Sequence, residues 1–191
     1  MLSNAPIATM TICDDVQRLQ RLAEASKQYL SSHVGKGVIL LQPRKIPSVH
    51  NFLESQLDPY LGRISLELPD PDSPVVIDPY WVGICVKNLV ENALLHGKAP
   101  VKVIASVQDS SLVVSVEDRG ICNFSTLIKM TKPFVKGTQS QGLGLGLAIV
   151  RKVIQEMNGT LDFTPNPTRF VMRLDESAWQ QPQTQTQRLS A

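Results

Sequence analysis

The sequence has no apolar run approaching the ~18 residues that a membrane helix needs. Near its start it also lacks a basic stretch followed by an apolar one, so no secretion signal is read there. Both absences predict a cytoplasmic chain that makes no membrane contact itself; whether a longer parent is anchored in the inner membrane stays open. A large excess of charge of one sign is missing too. The formal net charge is +2, which gives no electrostatic footprint for nucleic acid. Aromatic residues make up only 5% of the chain, so a core must lean on Leu, Val and Ile. Cys13, Cys85 and Cys122 are odd in number, far apart and in no metal-ligand spacing, which predicts reduced thiols.

The 191 residues suit one domain plus something smaller, since domains usually run about 100–150 residues. Val16, Leu19, Leu22, Ala23 and Leu30 recur at helical steps, predicting an amphipathic helix over 11–32 that ends at Gly35 and Gly37. A shorter helix is expected over 48–57. From residue 62 the period changes: Ile64, Leu66 and Leu68 alternate as one face of a strand would. PDPDSP (69–74) reads as a turn cluster, Val75 to Ile77 as a short strand, and Asp78-Pro79 as a helix start. A largely apolar helix follows over 80–96, stopped by Gly97 and Pro100. Val-rich stretches at 101–107 and 111–117 predict a hairpin. A helix over 143–157 and strands over 160–164 and 169–174 complete the pattern. Beyond Glu176 the chain is rich in Gln and Thr, the composition of a disordered tail.

On the apolar helix, Asn88, Glu91, Asn92 and His96 stand three, four and eight positions apart and share one face. Asparagine is a weak helix former because its amide competes for backbone hydrogen bonds. The stripe is either a solvated strip or a set of amides with a task. A carboxamide oxygen suits Mg²⁺, which takes one or two protein oxygens and leaves the rest to phosphate and water.

Two glycine clusters follow. Asp118-Arg119-Gly120 ends the strand 111–117, and a buried carboxylate there is costly unless it meets a donor. The exocyclic amine of adenine is one such donor, where guanine offers an acceptor; an ordinary Asp turn is the alternative. In GLGLGLAIVRKV (142–153), Gly142, Gly144 and Gly146 alternate with Leu143, Leu145 and Leu147 at a helix start. Free amides at such a start favour anions, although a flexible hinge would use the same glycines. Neither the Walker nor the Rossmann pattern fits.

Taken in order, an Asn-bearing helix, Asp-x-Gly after a strand and a Gly-rich helix start resemble the histidine-kinase branch of the ATPase superfamily shared with gyrase, Hsp90 and MutL. NLVENALLHG looks like its N box, DRG its first glycine box, KPFVKG (132–137) its F box and GLGLGLAIV its second glycine box. The resemblance covers about residues 62–175. It implies an α+β fold, a two-layer α/β sandwich of the Bergerat type with a mixed sheet and helices on one face, preceded by a dimerisation-type helix. By the same resemblance ATP and Mg²⁺ are bound. Asn92 would ligate the metal with Asn88 nearby, and Asp118 and Gly120 would hold the adenine side. The amides around Gly142, Leu143, Gly144, Leu145 and Gly146 would meet the phosphates. Residues 134–142 would form a lid anchored by Phe134, with Lys136 reaching the phosphates. His96 would lie near them or simply end the helix. Asn88 stands where hydrolytic family members carry Glu, which suits transfer to a protein acceptor. Glu91 would help as an acid or base, or orient Asn88 or a water. Two departures stand out: Cys122 follows Ile121 where a second glycine is usual, and NPTRF, with Thr168 as its familiar residue, replaces the last glycine box.

The resemblance also implies a division into residues 1–60, a remnant of the helical dimerisation and phosphotransfer region with its connector, 61–176, the ATP-binding catalytic domain, and 177–191, the tail. His33, His50 and His96 lack the setting of a phosphate acceptor, so the acceptor helix is expected outside this chain and self-phosphorylation is not. Expected partners are ATP and ADP, the histidine-bearing helix, a response regulator and, in a full protein, a second copy. Two alternatives stay open: an anti-sigma-factor-type Ser/Thr kinase, and a degenerate module that only docks partners.

Overall fold

A computed structural model describes residues 39, 41–124, 127–131 and 145–175. The helix expected over 11–32 and the tail lie outside them. The order is β1 (Arg44–Ile46), α1 (Val49–Leu57), a 3-10 turn (Asp58–Tyr60), β2 (Ile64–Glu67), β3 (Val75–Ile77), α2 (Pro79–His96), β4 (Val101–Gln108), β5 (Ser111–Glu117), α3 (Leu127–Met130), α4 (Gly146–Glu156), β6 (Thr160–Pro165) and β7 (Thr168–Asp175).

Five strands form one mixed sheet in the order β2-β4-β5-β7-β6, and β1 pairs with β3 in a separate ribbon. Only β2 and β4 run parallel. A parallel neighbour needs a crossover, and here the crossover contains α2, which is thereby laid across the sheet. The β4–β5 hairpin closes through Asp109 and Ser110, both at positive φ (49° and 61°), the geometry of a two-residue turn that matches strand twist.

Register sorts the side chains. Val103, Val116 and Phe170 lie in one row and Ala105, Val114 and Met172 in the next, all buried. They pack on Val82, Val86, Leu89 and Ala93 of α2 and on Ile149, Val153 and Ile154 of α4 in one core. The opposite face carries the Lys102–Glu67 pair (2.5 Å) and the Arg169–Glu117 contact (3.9 Å). The result is the two-layer α+β sandwich with helices on one face. Ile39 and the α1 residues Val49, Leu53 and Leu57 belong to the same core. The packed unit therefore reaches N-terminal of residue 61, the boundary expected from the sequence.

Local chemistry sets the ends of α2. The Asp78 carboxylate accepts from Tyr80 N (3.0 Å) and Trp81 N (3.1 Å), and its other oxygen from Gln42 N (2.7 Å). Pro79 fills the first helical position, where its missing N–H costs nothing. At the other end Gly97 N donates to Ala93 O (2.9 Å). Three elements were not foreseen: β1, the 3-10 turn and α3. They are three or four residues long, too short for a period to register.

Candidate functional site

The polar stripe of α2 is half-buried at Asn88, Glu91 and Asn92 and exposed at His96. Asn88 satisfies its amide within the helix, Nδ2 donating to Ile84 O (2.9 Å). Its Oδ1 faces α4: a Cβ placed on Gly146 would stand 2.6 Å from it. The N box and the start of the second glycine helix therefore meet. Asn92 makes no side-chain hydrogen bond among the described residues. Glu91 is tied sideways, its Oε1 accepting from the Tyr60 hydroxyl at 2.7 Å.

Among the described residues, no side chain caps the start of α4. Leu145 precedes it, and no acidic residue stands in its first turn. The first amides of a helix lack intrahelical acceptors, and the dipole there favours negative charge. An anion would complete this end. Phe134, Lys136, Gly142, Leu143 and Gly144, the expected F-box and phosphate-loop residues, lie outside the described residues.

Asp118 stands at the end of β5, 5% exposed. Its Oδ1 accepts from Lys98 N (3.0 Å) and Gly120 N (2.5 Å). Its Oδ2 has no hydrogen-bond donor among the described residues. Gly97 makes room for this carboxylate: a Cβ there would lie 2.3 Å from Asp118 Cγ and 2.5 Å from both its Oδ2 and Ala93 O. Thr168 is beside it, its carbonyl accepting from Asp118 N (3.0 Å); its hydroxyl, on a residue 8% exposed, also has no partner among the described residues.

The two departures from the family pattern face each other. Thr168 N donates to Gly120 O (3.0 Å) and Cys122 N to Pro165 O (2.9 Å). The loop after Asp118 is thus zipped to the β6–β7 connection by backbone bonds, whose donors can come from any residue but proline and whose acceptors from any residue at all.

These observations test the fit of a nucleotide. A buried carboxylate oxygen and a buried hydroxyl without partners are costly unless a ligand or water meets them. An amino-substituted base offers the donor that Asp118 Oδ2 lacks. At the other end two carboxamide oxygens suit a hard cation that takes its remaining oxygens from phosphate and water. Among the described residues no cluster of His, Cys, Asp and Glu could hold a metal by itself.

Sequence reasoning missed three contributors. Gly97, a helix stop by sequence, also makes room for the Asp118 carboxylate, Lys98 acts through its backbone N–H, and Tyr60 reaches Glu91 from 31 positions away. The Gly97 signal was present, since a glycine closing an apolar helix is also a place where another group can approach closely; Tyr60 gave none. Cys85 is buried, and desolvation holds its thiol far above the usual range.

Comparison with known proteins gives the family and the fold. The family model of histidine kinase-, DNA gyrase B- and HSP90-like ATPases matches residues 77–178. The sensor histidine kinase VxrA of Vibrio cholerae serotype O1 is 34% identical over 164 residues, 85% of this chain and 31% of that protein. The sensor protein BasS of Escherichia coli is 30% identical over 149 residues, 76% of this chain and 40% of that one. The chain thus spans about a third of the length of these curated relatives. Among solved structures, the Acinetobacter baumannii histidine kinase AdeS shares the fold with a TM-score of 0.71 at 19% identity, over 92% of this chain and 87% of that one. ThkA in complex with the response regulator protein TrrA gives 0.68 at 18% identity, over 94% and 55%. Among the described residues no helix is long and apolar enough to cross a membrane. With the matched model spanning the Asn stripe, Asp118 and α4, the chain belongs to the histidine kinase-, DNA gyrase B- and HSP90-like ATPase family.

Proposed function

We propose that this chain is the ATP-binding catalytic domain of a sensor histidine kinase, moving the γ-phosphate of ATP to a histidine outside the chain for relay to a response regulator. One observation carries the reading: the Asn stripe and an uncapped helix start converge at one end of the site, and a half-satisfied buried carboxylate waits at the other. In this reading Asp118 Oδ2 accepts the adenine amine, with Thr168 and Gly120 beside it. The α4 start, Leu145 and Gly146 with the preceding Gly142, Leu143 and Gly144, holds the phosphates. Asn92, assisted by Asn88, holds Mg²⁺, which when bound screens phosphate charge and aligns the transferred group. Phe134, Lys136 and His96 are assigned to the lid and the phosphate end by resemblance to the family.

The same reading places the dimerisation-type helix in residues 11–32, a Gln-rich tail after 176, and a cytoplasmic setting. The response regulator and a second copy are partners of the longer protein. Neither alternative is favoured: the relatives named above are a sensor histidine kinase and a sensor protein, which weighs against an anti-sigma-factor kinase, and an Asp118 oxygen without a donor among the described residues weighs against a pure docking module.

The test is incubation of the chain with labelled Mg-ATP, alone and with a histidine-bearing dimerisation helix from a sensor kinase. Acid-labile, alkali-stable label on the helix and none on the chain alone is the expected result. Acid-stable label on an acceptor, or acid-labile label on the chain alone, contradicts it.

A further inference from the structure

The Tyr60–Glu91 hydrogen bond has no place in nucleotide binding as assigned above, yet it holds the only carboxylate on the Asn stripe. Successive helical residues turn by about 100°. Glu91 therefore projects about 60° from Asn88 and about 100° from Asn92, on the flank that faces the 3-10 turn. Asn88, by contrast, faces Gly146 at the start of α4. A carboxamide cannot take a proton from water, so Asn88 and Asn92 cannot act as bases. A carboxylate can, if it comes within hydrogen-bond reach of the attacking water. Glu91 is one helical turn from the phosphate end and has three side-chain torsions with which to swing there. What restrains it is the Tyr60 hydroxyl at 2.7 Å, a bond to an ionised acceptor and so among the stronger kinds.

We propose that Tyr60 is a positioning residue that keeps Glu91 turned toward the 3-10 turn and so suppresses attack of water on the bound nucleotide; this rests on the nucleotide-binding reading above. The suppressed step is ordinary hydrolysis. Water oxygen bonds to the γ-phosphorus, the bond from that phosphorus to the bridging oxygen breaks, and its electron pair stays with ADP. The water proton would pass to Glu91. A domain that holds ATP for a protein acceptor gains from blocking that route, because every hydrolysed nucleotide is lost to phosphotransfer. The device needs no contact between Tyr60 and the ligand. It also links the α1 side of the molecule to the chemistry, since the 3-10 turn directly continues α1.

The experiment measures inorganic phosphate release by the 191-residue chain with saturating Mg-ATP and no acceptor. General bases contribute about 10²–10⁴-fold, and a swinging side chain recovers only part of this, so Tyr60→Phe is expected to raise kcat by about ten-fold or more. Mg-ATP affinity should stay within about two-fold, because the Tyr60 hydroxyl bonds Glu91, which is not assigned to ATP or Mg²⁺ above. Adding Glu91→Gln to that variant should remove the gain, and Tyr60→Leu, which repacks differently, should reproduce it. Release at the unaltered rate or below in both Tyr60 variants, with Mg-ATP still bound, overturns the proposal, as does a gain that survives Glu91→Gln. If the unaltered chain shows no saturable Mg-ATP binding, the nucleotide reading itself fails and this inference falls with it.

Discussion

At the Asp118 end of the site, backbone groups hold each part: Lys98 N and Gly120 N on one carboxylate oxygen, Asp118 N on Thr168 O, and Thr168 N on Gly120 O. At the Asn88 end, one side-chain bond to Ile84 O holds Asn88 in the helix, Asn92 has no side-chain partner among the described residues, and α4 starts without a side-chain cap. The contrast separates two tasks. Discriminating one base from another needs a fixed acceptor, since a mobile carboxylate would adapt to either. Receiving phosphates and a cation needs unsatisfied groups that the ligand itself completes.

Breaking the fixed end should cost most. Asp118→Asn keeps an oxygen for Lys98 N and Gly120 N but can place an amide nitrogen where Oδ2 stood. Hydrogen bonds to charged groups contribute about 1.5–3 kcal/mol, so ATP affinity is expected to fall about 10–150-fold while GTP affinity does not. Competition titration with the two nucleotides reads this directly. Gly97→Ala attacks the same carboxylate by sterics. Ala93 O cannot yield and Asp118 is pinned, so the variant should lose about 2 kcal/mol of stability in urea unfolding and weaken ATP binding as well.

Effects at the open end should be smaller. A methyl group on Gly146 meets only the movable end of Asn88, which can turn away by giving up its bond to Ile84 O. Gly146→Ala is therefore expected to cost about 1 kcal/mol of stability and a few-fold in Mg-ATP affinity. His96→Ala should matter least. The side chain is exposed, and surface changes usually stay within about 0.5 kcal/mol, so affinity should move less than about three-fold. A larger loss for His96→Ala than for Gly97→Ala would reverse the contrast.

Much of this arrangement was legible in the residues. Ile64 and Leu66, the Val-rich hairpin and the apolar 80–96 helix announce themselves by period, and Asp78-Pro79 marks its helix start with a capping carboxylate. Asn88 and Asn92 stand out because two amides four apart have little reason to sit in an apolar helix. The adenine end was legible only in part. Asp118 could be suspected, but the donors that fix it are backbone groups of Lys98 and Gly120, and backbone hydrogen bonding leaves little trace in side-chain identity. Tyr60 and Glu91 meet across 31 positions, a pairing that no local pattern encodes. The mutual bracing of 118–122 and 165–168 was hidden for the same reason: each segment alone looks like a departure, and only the fold brings them side by side.

The central claim is that one Mg-nucleotide spans both ends. Calorimetric titration of the chain with ATP, with and without Mg²⁺, beside the Asn92→Ala variant tests it most directly. The account predicts saturable binding that Mg²⁺ tightens, with Asn92→Ala erasing the Mg²⁺ increment while preference for ATP over GTP persists. Absence of binding, or a Mg²⁺ increment that survives Asn92→Ala, would contradict it.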